Sequence, residues 1–278
     1  VGEGAVSYTI AANTTPAART GAITVAGQTF AVAQSATTGI PPAISGVVNA
    51  ASSGPGIASA TWITIYGTNL APATQTWSAS DFEGDLLPTQ LGGVSVTIGG
   101  QPAYVYYISP TQINVLAPDY MAETVSVEVD TPDGRSNAVT APRTEFAPAL
   151  FLFSQGGGKY AAAVHADGAY VAPVGLIPEV TSRPASPGEV ISLFGTGFGT
   201  TDPTSPSAEL VSQPAVLNAP AAIRVGGAVA ETSFAGLVSS GLYQFNVTVP
   251  NMADGDQLVV IQIGGLQSQD KTYIPVGQ

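Results

Sequence analysis

The stretch Ile63-Thr64-Ile65-Tyr66-Gly67-Thr68 decides the fold. It alternates apolar β-branched residues with polar or aromatic ones and closes on a glycine, the pattern of a strand with one buried face running into a turn. The same pattern returns in the second half of the chain as Ile191-Ser192-Leu193-Phe194-Gly195-Thr196. Working outward, Ile98-Gly99-Gly100-Gln101-Pro102-Ala103 is answered by Val225-Gly226-Gly227-Ala228-Val229-Ala230. Gln112-Ile113-Asn114-Val115, followed by Pro118, is answered by Gln244-Phe245-Asn246-Val247, followed by Pro250. Order and spacing are kept, so the chain carries an internal repeat.

Other runs alternate in the same way, among them Val94-Ser95-Val96-Thr97-Ile98 and Val125-Ser126-Val127-Glu128-Val129. Between them stand Pro132-Asp133-Gly134, Asp167-Gly168 and Asp254-Gly255, residues that supply turns. No capped helical stretch longer than about ten residues is found. The expected fold is all-β: tandem immunoglobulin-like β-sandwiches at residues 37–145 and 146–278, with a partial β module and linker at 1–36.

Composition agrees. The 278 residues include 32 Gly and 22 Pro but are only 9% charged, against roughly a quarter in ordinary globular chains, which excludes a long-helix or coiled-coil protein. At 45% hydrophobic the chain can bury a core and is not a disordered tract. Seven Lys and Arg against 19 Asp and Glu give a net charge of −12. The cations are scattered singly, so a phosphate-tracking nucleic-acid surface and a polybasic membrane patch are excluded. No apolar run is long enough for a membrane span. The absence of cysteine removes disulfide and thiolate chemistry and fits the cytosol or a cysteine-free exoprotein equally.

Positions 6–12, 21–26 and 28–34 read as three short strands, the last two joined by a tight turn at Ala26-Gly27-Gln28. Three short strands bury too little to stand alone. Either an upstream portion completes them, or Ile23, Val25, Phe30 and Val32 belong to strands that pair with another subunit. Residues 35–42, rich in Thr, Gly and Pro, read as a linker.

The segments Val6-Ser7-Tyr8-Thr9-Ile10, Arg19-Thr20-Gly21-Ala22-Ile23-Thr24-Val25-Ala26-Gly27-Gln28 and Phe30-Ala31-Val32-Ala33-Gln34 resemble the C-terminal half of a BACON domain, a bacterial Ig-like module often attached to secreted carbohydrate-active proteins. From about residue 42 onward the chain resembles the Solibacter-type (acidobacterial) C-terminal domain, which looks like a pair of IPT/TIG-type Ig-like units. The residues that carry this include Val47-Val48-Asn49-Ala50-Ala51-Ser52, Ile65-Tyr66-Gly67-Thr68-Asn69-Leu70, Tyr106-Tyr107-Ile108-Ser109-Pro110-Thr111-Gln112 and Gly241-Leu242-Tyr243-Gln244-Phe245-Asn246-Val247. The resemblance implies a fold and an extracellular or cell-surface setting. It implies no activity that could be carried to particular residues.

No catalytic constellation is expected, and no cofactor. The single histidine, His165, stands before the Asp167-Gly168 turn and reads as a strand-end side chain; no Gly-x-Ser-x-Gly elbow accompanies it. One His without Cys does not make a typical zinc site. Gly195-Thr196-Gly197-Phe198-Gly199 follows a strand but is followed by Thr200-Thr201-Asp202-Pro203, not by a helix that could face a phosphate. Weak calcium candidates are Asp81, Glu83 and Asp85 in one loop and Asp254 and Asp256, beside Asn251, in another; neither follows the Asp-x-Asp-x-Asp-Gly loop with a terminal Glu. A glycosidase carboxylate pair has only the abundance of carboxylates in its favour.

The connections at 68–93 and 196–219 are long for a sandwich. The first holds Trp77, Asp81, Phe82 and Glu83, suited to stacking on a sugar or covering a neighbouring subunit; alternatively Trp77 and Phe82 cap their own sandwich. Tyr104 and Tyr106 join them as candidate contact residues. The leading expectation is a non-enzymatic secreted or surface structural protein that self-associates, in a filament version by strand addition. The alternative is a carbohydrate-binding accessory module that recognises extracellular glycans.

Overall fold

The computed structural model describes residues 7–11, 13, 17–35, 39–119, 124–155 and 158–277. Strands between residues 43 and 142 form two sheets. One runs in the order Ala43–Asn49, Trp62–Thr68, Gln112–Leu116, Tyr104–Ile108 and Gln75–Thr76; the other is built on Thr124–Thr131 and Val94–Ile98. Alternation turns Ile63, Ile65, Ile113 and Val115 of the first sheet inward against Val94, Val96, Val127 and Val129 of the second. Two sheets sharing one apolar layer make a sandwich. The second half repeats it: Ile191, Leu193, Phe245 and Val247 face Ile223, Val225, Val259 and Ile261 across a separate core. The chain is thus a pair of tandem Ig-like sandwiches.

The repeat holds at the level of register. Ile63 pairs with Val115 and Ile65 with Ile113; in the second sandwich Ile191 pairs with Val247 and Leu193 with Phe245. The repeated glycine has a steric cause: a Cβ on Gly67 would strike the Ala43 carbonyl, and one on Gly195 the Ala149 carbonyl, where the first strand of each sandwich crosses. Just beyond it, Leu70 and Phe198 plug the two cores, each fully buried.

The faces turned away from the cores carry neutral polar triads. Thr64 Oγ1 and Gln112 Nε2 donate to Asn114 Oδ1 at 3.1 and 2.9 Å. Ser192 Oγ and Gln244 Nε2 donate to Asn246 Oδ1 at 2.8 and 2.7 Å. A second repeated device closes the sandwich edges. The Asn137 amide accepts from Ile44 N at 2.9 Å and donates to Ile44 O at 3.2 Å; the Gln269 amide accepts from Leu150 N at 2.9 Å and donates to Leu150 O. Each side-chain amide imitates a strand neighbour and satisfies a backbone pair that the ladder leaves open.

At the N-terminal side, Arg19–Val25 and Gln28–Gln34 form a two-stranded antiparallel sheet with Ile23 opposite Phe30. Ala26 and Gly27 take φ of 50° and 79°, as a two-residue hairpin turn requires. Of the expected third strand, Val6 and Ala12 lie outside the described residues, and residues 7–11 form no ladder with a strand among the described residues. The Ala11 carbonyl accepts instead from the Arg19 and Gln34 side chains at 2.7 and 2.9 Å.

Candidate functional site

The two long connections meet. Ser78 starts a short 3-10 turn at Ala79–Asp81 and donates its N–H and hydroxyl to Asp81 Oδ2 at 2.7 and 2.8 Å. The chain then turns so that Leu86 forms an antiparallel bridge with Glu209. Leu87 N donates to Ala208 O and Leu210 N to Asp85 O, both at 2.8 Å. The loops flagged as long are thus the two halves of a clasp between the sandwiches.

Around the clasp lies the junction. The pole of the first sandwich offers Asn49, Trp62, Leu116 and Asp119. Asn49 Nδ2 donates to Ala147 O at 3.0 Å, Trp62 N to Thr196 Oγ1 at 3.1 Å, and Trp62 Nε1 to Ser240 O at 3.1 Å. Ser207 N donates to Asp119 Oδ2 at 2.9 Å. Gly241, with φ 69°, sits so tightly beneath Leu116 and Trp62 that a Cβ has no room. Burial raises the Tyr243 phenol well above its usual pKa, and the Asp119 carboxylate across the junction adds to it; the hydroxyl donates to Gly199 O.

An aromatic cluster flanks this joint. Trp77 stands edge-on to Tyr106, Phe82 and Trp62 at centroid distances of 4.9, 5.2 and 6.0 Å, and Trp62 to Tyr106 at 5.5 Å. Trp77 packs on the core of its own sandwich, while Tyr106 and Tyr66 keep 38% and 42% of their surface exposed. Of the candidate contact residues, Trp77, Phe82 and Tyr106 therefore come together. Tyr104 lies on the same strand as Tyr106, half-buried opposite Leu116.

The carboxylates do not converge. Among the described residues no group of three or more His, Asp or Glu side chains could hold a metal ion. Asp81 caps its own turn, Glu83 and Asp85 belong to the clasp, and Asp256 pairs with Lys159 at 2.6 Å. Asp254 lies near Gly277.

Residues 42–143 match the IPT/TIG domain. No curated protein matches the chain in sequence. Solved structures similar to it include the plexin A4 extracellular region (12% identity, TM-score 0.28, covering 85% of this chain and 18% of that one). Another is the Bacteroides ovatus mixed-linkage glucan utilization locus SGBP-B bound to a heptasaccharide (12%, TM-score 0.33, 80% and 43%). A third is domains 5–6 of the S-layer protein SbsC (8%, TM-score 0.28, 84% and 98%). The chain spans 18%, 42% and 50% of the length of the first three solved structures it matches. No helix among the described residues is long and apolar enough to cross a membrane.

Outside the matched residues, His165 is a strand-end residue in the second sandwich with its side chain fully buried. Nδ1 lies 2.8 Å from Glu189 Oε1 and Nε2 3.1 Å from Arg183 O. Glu189 also receives Arg183 at 2.9 and 3.2 Å and Ser186 N at 3.0 Å. Partial burial alone would raise the Glu189 carboxyl; the Arg183 guanidinium, the Ser186 amide and the His165 ring outweigh it and hold the pKa down to about 2. This cluster ties the 166–168 turn to the strand that begins at Val190; the Ser186 hydroxyl turns away from it and donates to Gly277 O at 3.3 Å.

Sequence reasoning missed Trp62, Asp119 and Ser207. Trp62 was within reach, since it precedes the deciding stretch and alternation puts it on the outer face with Thr64 and Tyr66. Asp119 and Ser207 carry no local signal.

Proposed function

We propose that this chain is a non-enzymatic structural or adhesive subunit of the cell exterior: a rigid pair of sandwiches whose N-terminal hairpin joins another chain by strand addition. The observation that carries this reading is the hairpin itself. Arg19–Val25 and Gln28–Gln34 pair with each other and with no third strand among the described residues, none of their residues is buried, and Phe30 is 58% exposed. A lone two-stranded sheet is marginal in water, and its open edges are templates for a further strand. The contact would be heterologous, so repetition builds an open filament rather than a closed ring. Deleting residues 1–35 and viewing the product by negative-stain microscopy tests it: fibres or oligomers should disappear, and unchanged polymers would sink strand addition.

The exposed ring of Tyr106 beside Trp62 and Trp77 favours a second reading, a glycan-binding module that stacks sugar rings on this patch. Binding on a glycan array that is lost in Tyr106→Ala supports it; no binding to any polysaccharide counts against it.

A further inference from the structure

The junction between the sandwiches has a counterpart that no described residue fills. By the repeat, Ala60, Leu116, Ala117, Pro118 and Asp119 of the first sandwich correspond to Gly188, Thr248, Val249, Pro250 and Asn251 of the second, and Trp62 corresponds to Val190. The backbone confirms the correspondence bond for bond. Ala60 N donates to Ala117 O, and Gly188 N to Val249 O; Ala117 N donates to Thr61 O, and Val249 N to Glu189 O. Ala60 and Gly188 share a left-handed φ, 52° and 83°. In the first sandwich this pole is the surface seated on Thr196, Ser240 and Gly241 of the second. In the second sandwich the same pole is an open groove of about 450 Å³, walled by Pro187, Val229, Val249 and Pro250, with Glu231 and Asn251 at its polar side. Val229, which lines the groove, is 66% exposed, and Val190, paired with the lining Thr248 at its edge, is 45% exposed.

The receiving surface also has a copy that is exposed among the described residues. Thr68 corresponds to Thr196, and Ser109 to Gly241; around them Thr68, Asn69, Pro110 and Thr111 are exposed at the opposite pole of the first sandwich. The described residues therefore carry, at opposite poles of the two sandwiches, copies of both halves of the joint already made between them.

We propose that the Pro187–Val229–Pro250 groove docks the Thr68–Pro110 pole of a second copy, continuing the internal junction from molecule to molecule. This rests on the structural-subunit reading above but not on its hairpin. The contact is heterologous and propagates head to tail. Val190 in place of Trp62 and Asn251 in place of Asp119 leave it without the indole N–H and the carboxylate of the internal joint, so it is the weaker and the reversible one of the two.

Sedimentation velocity of the full chain, from micromolar to millimolar concentration, tests this. The wild type should form concentration-dependent dimers and longer species. Val190→Asp/Val229→Asp should weaken association by about tenfold or more, as loss of a central apolar contact does, with its melting temperature checking that the fold is intact. Thr68→Asp should do the same from the other pole. Mixing the two variants should restore a dimer but nothing longer, because each keeps one sound pole. A wild type that stays monomeric throughout overturns the proposal. If Phe30→Asp abolishes association while Val190→Asp/Val229→Asp associates like the wild type, groove docking is overturned and strand addition stands.

Discussion

Trp62 is the side chain on which the coupling of the two sandwiches turns, and Trp62→Ala measures it. An enclosed tryptophan buries about 150–250 Å²; Trp62 is half-buried, so about 100 Å² of ring surface is at stake, about 2.5 kcal/mol at ~25 cal/mol per Å². Its edge-to-face contacts with Trp77 and Tyr106 contribute about 0.5–1.5 kcal/mol each beyond area. The N–H bond to Ser240 O adds about 1 kcal/mol. The neighbours relax into part of the space, so a net loss of about 3–4 kcal/mol is expected, within the ~3–5 kcal/mol range for truncating packed aromatics. The assay is urea unfolding followed both by fluorescence and by far-UV circular dichroism. The chain has two tryptophans, so in this variant Trp77 alone reports on the first sandwich. Wild-type transitions should coincide; in Trp62→Ala the fluorescence midpoint should fall below that of the dichroism, as the first sandwich unfolds apart from the second. Trp62→Phe keeps a ring and loses the N–H bond, and should cost about 1 kcal/mol. A Trp62→Ala loss under about 1 kcal/mol with coincident transitions would refute the assignment of this residue as the structural bolt.

Gly241→Ala should lower the melting temperature more than Gly265→Ala: both positions have positive φ, costing about 1–2 kcal/mol for a side chain, but only at Gly241 does the new methyl meet Leu116 and Trp62. Asn137→Ala and Gln269→Ala should each cost about 1–3 kcal/mol in chemical denaturation, since each strands a backbone donor and acceptor at Ile44 or Leu150. Glu189 has its folded pKa lowered from 4.5 to about 2. A depressed carboxyl stabilises the fold above its unfolded pKa and loses that contribution as pH falls through the folded one. Glu189→Gln should therefore flatten the decline in melting temperature between pH 4.5 and about 2 while lowering stability near neutrality; an unchanged acid limb would remove Glu189 from the account.

Much of the fold was legible because the repeat constrains both halves at once. Ile63 and Ile191 occupy matching registers, and Gly67 and Gly195 are fixed by matching carbonyls, so a pattern weak in one copy is strong in two. The pairing of Asn137 with Gln269 escaped notice because the two differ in length by one methylene and stand outside the alternating runs. The junction was illegible for a different reason. Alternation tells which face a side chain occupies but not which pole of the sandwich it ends at, and Trp62 matters through its pole. Residues 7–11 alternate as a strand would, yet side chains take the Ala11 carbonyl, and alternation is blind to that competition. The long connections were rightly singled out by length, but length could not say that they clasp each other.

The low charge separates fold stability from association in a way one salt titration can read. Ion pairs such as Arg135 with Asp130, Lys159 with Asp256 and Arg183 with Asp167 are partly exposed, and such pairs contribute little, about 0–1 kcal/mol each. The cores, the amide clamps and the Thr–Asn–Gln triads are neutral. Melting temperature should hence be nearly flat with added NaCl. Association is different, because each copy carries a net −12 and Glu231 lines the docking groove, so like charges oppose the approach. At physiological ionic strength the screening length is already about 8 Å, and raising the salt further shortens the range of that repulsion. End-to-end association should strengthen with NaCl while the melting temperature stays put. If association weakens with salt instead, attractive charge pairs hold the copies together, and the apolar groove is not what joins them.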